Sequence, residues 1–263
     1  MNRKIAVITG ATSGIGKEFA IRLAEKGYDL LLTGRREKLL NEVKSYIERE
    51  YKVNVILFIV DFNNNEEFNK LLNYIEGINN IEFLVNNSGH GAKDTFTKDN
   101  VKNQLDMVGV HILAVIKLCH LIGNKMKKNK KGYIINVSSI ASFNSFPTSG
   151  MYCATKGFLT SFSQSLALEL EDFNINVQAL CPGFTRTDFH SKLNMDGNKL
   201  KNKGIVKWMT PSEVVGYSLE KINKPLKVIV IPGIGNKVMV LASRICPRGI
   251  YYKIAKRGWK LLD

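Results

Sequence analysis

Seven short apolar runs alternate along the chain with longer segments whose apolar residues return every three or four positions. The runs fall at 4–9, 29–33, 53–60, 81–85, 133–137, 175–180 and 227–231. Continuous apolar stretches of this length, bounded by polar or glycine-containing turns, predict strands buried on both faces. The intervening segments have helical spacing. After Gly16, residues Phe19, Ala20, Leu23 and Ala24 share one face, and further helices are predicted at 37–50, 65–76, 100–126, 151–171 and from Pro211 onward. Strand and helix in regular alternation predict an α/β fold with a parallel sheet. No linker or internal repeat divides the 263 residues, so one domain spanning 1–263 is expected.

The candidate chemistry lies where predicted strands end. The first strand runs into Thr9-Gly10-Ala11-Thr12-Ser13-Gly14-Ile15-Gly16 and a helix. A glycine-rich turn there lets backbone N–H groups approach a pyrophosphate at the helix N-terminus. The second strand ends in Gly34-Arg35-Arg36, with no carboxylate to bind a ribose 2′-hydroxyl. Arg35 and Arg36 can instead clamp a 2′-phosphate with charge-assisted hydrogen bonds, or begin the next helix as solvated residues. The fifth strand leads to Ser139, and Tyr152 and Lys156 follow four residues apart on a predicted helix. That spacing puts phenol and ammonium on one helix face. A nearby ammonium favours the phenolate, so Lys156 is expected to lower the Tyr152 pKa toward working pH.

Ser139…Tyr152-x-x-x-Lys156 and Gly10-x-x-x-Gly14-x-Gly16 resemble the catalytic signature and cofactor turn of the short-chain dehydrogenase/reductase family. Asn86-Asn87-Ser88-Gly89 is similar to the family's Asn-Asn-Ala-Gly, with Ser88 in place of Ala, and Pro182-Gly183-Phe184-Thr185-Arg186-Thr187 to its Pro-Gly-x-x-x-Thr turn. The resemblance runs from Ala6 to about Ile231. It implies a single Rossmann-type, doubly wound parallel sheet of about seven strands flanked by helices, and NADP(H)-dependent interconversion of a ketone or aldehyde and its alcohol. Ser139 and Tyr152 would bind the carbonyl oxygen, Tyr152 would donate the proton, and Lys156 would also hold the nicotinamide ribose. Cofactor contacts would come from Gly10, Ser13, Gly14, Ile15, Gly16, Arg35, Arg36, Asp61 (adenine), Asn87, Pro182, Gly183, Thr185 and Thr187. The family implies a homodimer or homotetramer through the helices at 100–126 and 151–171. It has an Asn where this chain has His111; here a histidine titrating near neutrality either replaces that Asn's proton path or is a hydrogen-bonded core residue. Phe143, Phe146, Met151, Phe184 and Phe189 are expected near the cleft and suggest an apolar substrate: a steroid, bile acid or acyl chain. The polar stretch 188–209 is a candidate lid.

Composition changes this picture little. The net charge is +15, with 23% charged residues. The basic excess is read as a bias toward Lys, Asn and Ile, with anionic ligands or surfaces as the alternative. No nucleic-acid reader motif is present, so no nucleic-acid partner is expected. The four cysteines have neither metal-ligand nor disulfide-framework spacing, and no metal is expected. The first apolar run is too short for a signal peptide, and no stretch approaches the about 18 apolar residues of a membrane span. A reducing, cytoplasmic setting is therefore expected. Residues 236–263 extend past the family pattern as two helices. The first has Val238, Leu241 and Ala242 as its apolar positions. The second, from Pro247, carries Ile250, Tyr251, Ile254, Ala255, Trp259, Leu261 and Leu262 on one side and Lys253, Lys256, Arg257 and Lys260 on the other. It can lie on an anionic membrane or pack on protein. The second reading for the whole chain is a catalytically weak NADP(H)-binding protein or a membrane-associated lipid reductase.

Overall fold

The computed structural model describes residues 3–91, 94–191, 207–224 and 227–259. Seven strands form one parallel sheet: β1 (Ile5–Thr9), β2 (Asp29–Gly34), β3 (Val55–Ile59), β4 (Ile81–Asn86), β5 (Gly132–Val137), β6 (Ile175–Leu180) and β7 (Ile229–Val230). Their spatial order is β3-β2-β1-β4-β5-β6-β7. The chain therefore reverses its direction of growth between β1 and β4, and this switch point is where doubly wound sheets bind ligands.

Helices cover both faces because each inner strand is apolar on both. In β1, Ala6 and Ile8 join one core with Phe19, Leu23, Leu40, Ile47, Val214 and Val215. Val7, between them, points into the other core, with Phe68, Leu71, Ile75, Leu118, Ile122 and Leu159. The alternation follows the two-residue period of a strand. The first core packs α1 (Gly14–Glu25), α2 (Glu37–Tyr51) and α8 (Pro211–Lys221) on the sheet. The second packs α3 (Asn65–Gly77), α5 (Ala114–Asn129) and α6 (Gly150–Leu170).

The long helix expected at 100–126 is interrupted. α4 (Val101–Val108) passes through a π-helical turn, Gly109–Leu113, before α5. His111 lies in that turn, fully buried. The joined stretch Val101–Asn129 is long and apolar enough to cross a membrane by length and composition, contrary to the expectation that no stretch would be. Its C-terminal half is a core helix, however: Leu118, Ile122 and Met126 are buried against the sheet. A short helix, α7 (Asp188–Ser191), follows β6, and 192–206 of the expected lid lie outside the described residues.

The C-terminal extension forms α9 (Ile234–Ile245) and α10 (Arg248–Trp259). Their packing corrects the expected faces. α9 buries Asn236, Val240 and Ser243, and leaves Val238 and Leu241 exposed. In α10, Tyr251 is buried while Ile250 and Ile254 face out. The Tyr251 hydroxyl donates to the Ser145 carbonyl at 3.0 Å and accepts from the Ser145 N–H at 2.8 Å, which pins α10 to the loop after β5. Leu261 and Leu262 lie outside the described residues.

Candidate active site

A buried polar ladder fixes the site to the sheet. The Asn86 side chain donates to Asn136 at 2.8 Å, and Asn136 donates to Ser163 at 2.9 Å, tying β4, β5 and α6 together. Two turns nearer the start of α6, the Ser138 hydroxyl donates to the Lys156 carbonyl at 2.8 Å. Hydrogen bonds between buried side chains hold their elements in a single register, although Asn86 Oδ1 has no partner among the described residues. Tyr152 and Lys156 ride on the first turns of the helix held this way, directly beside the end of β5.

Ser139, Tyr152 and Lys156 do come together. The Ser139 hydroxyl accepts from the Ala141 N–H at 3.1 Å and lies close enough to the Tyr152 phenol to favour its ionised form. Lys156 Nζ donates to the Val137 carbonyl at 2.8 Å and lies 5.7 Å from the Tyr152 ring centre. The electrostatics differ from expectation. Burial pushes the Tyr152 phenol up to about 12, outweighing the lowering by Ser139. Burial also pushes the Lys156 ammonium down to about 8. Desolvation penalises both charged forms, and neither group's shift carries the mutual attraction that the four-residue spacing suggested. Among the protein groups alone, Tyr152 is therefore a protonated phenol at neutral pH, the form that gives a proton.

His111 is anchored at both ring nitrogens. Nε2 accepts the His90 backbone N–H at 3.1 Å, so this nitrogen carries no proton. Nδ1 lies 2.9 Å from Thr155 Oγ1, and that hydroxyl donates to the Tyr152 carbonyl at 3.1 Å, which makes Nδ1–H the donor to it. Burial and the Lys156 charge hold His111 well below the usual imidazole range. A histidine titrating near neutrality is thus not what the fold contains: His111 is a neutral clamp joining the β4 end, the π turn and α6. His90 and Thr155, its partners, carry no local motif and are visible only in three dimensions.

This clamp has a pH signature. A histidine kept neutral in the fold takes up a proton on unfolding, so its contribution to stability is present above about pH 6.5 and is lost as pH falls below it. The slope reaches about 1.4 kcal/mol per pH unit for one proton. His90, also lowered chiefly by burial, acts with the same sign. Melting temperatures measured from pH 7.5 down to 5 should fall, and His111→Asn should flatten that fall. An unchanged slope in the variant would show that His111 is not the buried neutral group described.

The glycine turn is shaped for a close backbone approach. Gly10 has φ +68°, a left-handed conformation that costs glycine nothing. A Cβ on Gly16 would lie 2.3 Å from the Gly10 carbonyl and 2.4 Å from Asn87 Nδ2. Asn87 Nδ2 donates to the carbonyls of Thr9 and Gly10, both at 3.0 Å, so it locks the turn to the end of β4. Ser13 precedes α1 without capping it by its side chain. The first-turn N–H groups and the helix dipole together favour an anion. Thr187 reaches the same turn from β6: a Cβ on Gly14 would lie 2.8 Å from its methyl group. Ile140 donates its N–H to the Pro182 carbonyl at 3.0 Å, joining that loop to the Ser139 turn. Thr185 is buried, with its hydroxyl donated to the Gly183 carbonyl.

The two arginines separate. Arg35 is exposed and pairs with Asp61 at 3.3 Å. Arg36 Nη2 donates to the hydroxyls of Thr12 at 2.7 Å and Ser13 at 2.8 Å, and Nη1 pairs with Asp188 at 3.1 Å. Arg36, which the sequence left open as a solvated helix-start residue, therefore stands over the glycine turn. The aromatic expectations also divide. Phe189 lies 5.6 Å from Tyr152, ring centre to ring centre, whereas Phe184 packs on Trp208 at 5.1 Å. Phe143 carries the Arg244 guanidinium over its ring at 4.8 Å.

The family profile described as short chain dehydrogenase matches residues 4–198. The chain belongs to the short-chain dehydrogenase family. A short-chain dehydrogenase from Sphingobium yanoikuyae, solved in complex with NADPH, is 26% identical, with a TM-score of 0.82 over 98% of this chain and 94% of that one. A structure reporting on 7beta-hydroxysteroid dehydrogenase stereoselectivity is 25% identical, with a TM-score of 0.85 over 96% of each chain. Among curated sequences, the very-long-chain 3-oxoacyl-CoA reductase of Pyrenophora tritici-repentis is 31% identical over 225 residues, 83% of this chain and 63% of that protein. The chain spans about half to two thirds of the length of the first curated relatives that it matches. As a short-chain dehydrogenase it departs from the family pattern the sequence suggested at Ser88 and His111, and it keeps the Ser-Tyr-Lys trio.

Proposed function

We propose that this chain is an NADP(H)-dependent oxidoreductase interconverting a bulky apolar ketone or aldehyde and its alcohol. The observation that carries the reading is the Ser139–Tyr152–Lys156 cluster, half-buried at Ser139 and Tyr152 and buried at Lys156, beside the switch point of the sheet. The protein residues fit a dinucleotide: a left-handed Gly10, a Gly16 with no room for Cβ, an uncapped α1 start and Arg36 over the same turn. The glycine turn would hold the pyrophosphate, Asp61 the adenine, Lys156 the nicotinamide ribose, and Thr185 and Thr187 the carboxamide. Bound there, the nicotinamide supplies or accepts the hydride.

The chain's own groups do the rest. The Ser139 hydroxyl and Tyr152 phenol bond the carbonyl oxygen and stabilise its growing negative charge. Tyr152, protonated at neutral pH, gives its proton to that oxygen. Lys156, anchored on Val137, places a positive charge below the phenol and stabilises the phenolate that remains. Phe189 beside Tyr152 supports an apolar substrate, as do the hydroxysteroid and 3-oxoacyl-CoA names borne by similar proteins. The outward residues Val101, Leu105, Leu113 and Ile116 support a homo-oligomer through α4 and α5.

Cofactor consumption by the purified protein tests the reading, with NADPH and NADH offered against steroid ketones, oxidised bile acids, 3-oxoacyl thioesters and small aldehydes. NADPH-preferring turnover is expected, and NADH preference would reject the cofactor part. Arg36→Ala should lower the NADPH-over-NADH ratio of kcat/KM by about 10–100-fold, the worth of one or two hydrogen bonds to a charged group. Arg35→Ala should lower it less, because that side chain is more exposed and already paired with Asp61. A ratio untouched by Arg36→Ala would move the 2′-phosphate contact elsewhere.

A further inference from the structure

α9 is amphipathic in the reverse sense. Ile234, Val238, Leu241 and Ile245 are spaced by four, three and four residues, which places them on one face. They are 80%, 44%, 58% and 72% exposed, while the opposite face buries Asn236, Val240 and Ser243. A surface helix of a soluble domain turns its aliphatic stripe inward. α10 repeats the arrangement, with Ile250 and Ile254 one turn apart and both more than half exposed. Six aliphatic side chains on consecutive helices thus face outward.

The charge around them has one sign. From Lys221 through Leu262 there are ten Lys and Arg and no Asp or Glu, so this stretch carries a net charge of +10 out of the chain's +15. Lys237 and Arg244 sit seven residues apart along one flank of the α9 stripe, and Arg248, Lys253 and Lys256 are exposed on α10. We propose that the outer face of α9 and α10 is a docking surface for an anionic lipid bilayer. Aliphatic side chains enter the acyl boundary while the flanking cations meet the headgroups. A second copy of the chain is a poorer occupant, because each copy would bring the same positive charge to the contact. A nucleic acid would meet the cations but leave the aliphatic stripe in water, with no aromatic platform for its bases among these six residues.

The place in the fold gives the surface a use. α10 is pinned to Ser145 through Tyr251, and Arg244 of α9 lies over Phe143. Both contacts fall on the segment that follows Ser139, so the docked face adjoins the cleft through which an apolar substrate would arrive. The inference rests on the two helices and not on the proposed reaction, and its test reads binding rather than turnover.

The full chain is sedimented with vesicles of phosphatidylcholine alone and of phosphatidylcholine containing phosphatidylglycerol. Binding is expected to the anionic vesicles, to weaken with added salt, and to fall at least about tenfold in Leu241→Asp/Ile245→Asp. Both replaced side chains are exposed, so the variant should keep the wild-type melting curve. Lys253→Glu/Lys256→Glu should cut binding to the anionic vesicles by a similar factor. Absence of binding, or equal binding by the aspartate variant, overturns the proposal. So does concentration-dependent self-association in size-exclusion chromatography that the aspartate variant abolishes, since the face would then join two copies.

Discussion

Tyr152→Phe should lower turnover by about 10²–10⁴-fold, the usual worth of a positioned general acid, and leave NADPH affinity within about threefold. The substitution removes one oxygen from a half-buried ring that keeps its contacts with Phe189 and His111, 5.6 and 6.1 Å away between ring centres. The fold should therefore survive, which separates chemistry from stability. The loss is large because Ser139 cannot substitute. Its hydroxyl can bond the carbonyl oxygen, but an aliphatic alcohol is a far weaker acid than a phenol and a poor proton donor. Single-turnover hydride transfer with saturating NADPH is the measurement. Retained turnover above a tenth of wild type would remove Tyr152 from the role, whatever the state of the cofactor site.

Gly16→Ala should damage the turn and the fold together. The new methyl group would meet the Gly10 carbonyl at 2.3 Å, a backbone atom held by the Asn87 side chain. Neither α1 nor β1 can yield without moving the core, where Phe19 and Ile8 are fully buried. Forced overpacking of this kind costs about 1–3 kcal/mol, or a few degrees of Tm per kcal/mol in a chain of this size. Affinity for NADPH should drop by about 10–100-fold, because the displaced N–H groups are those that would face the pyrophosphate. Gly216→Ala is the control. That glycine lies inside α8 with nothing near its open side, so alanine there should stabilise the helix by about 0.5–1 kcal/mol. Thermal melts of the two variants should move in opposite directions from wild type, and only Gly16→Ala should weaken NADPH binding. If Gly16→Ala binds and melts as wild type does, the close approach is not what fixes glycine at this position.

A protonated Tyr152 also bears on pH dependence. A phenol pushed up to about 12 by burial is already in the form that the proposed carbonyl reduction uses, in which it gives a proton. Alcohol oxidation needs the phenolate first, and Lys156, itself lowered to about 8, must be charged to support it. Oxidation should therefore gain more from rising pH through neutrality than reduction does, until Lys156 itself loses its proton.

The sequence alone determined the alternation of strands and helices, the glycine turn, and the order in which Ser139, Tyr152 and Lys156 arrive. These are local facts. A strand buried on both faces reads as an unbroken apolar run, and a four-residue spacing on a helix fixes a shared face wherever that helix packs. Tertiary structure decided what depends on neighbours distant in sequence. His90 and Thr155 flank His111 from 21 and 44 residues away, and that placement turns a residue expected to titrate near neutrality into a neutral clamp. Arg36 became the arginine at the glycine turn because Thr12 and Ser13 lie under it, across the gap between β1 and β2. The Tyr152 pKa moved up rather than down because desolvation is set by everything packed around the ring, which no spacing between two residues encodes. The outward stripe on α9 was hidden for the same reason: periodicity marks which residues share a helix face, and only the packed fold decides which face meets the core.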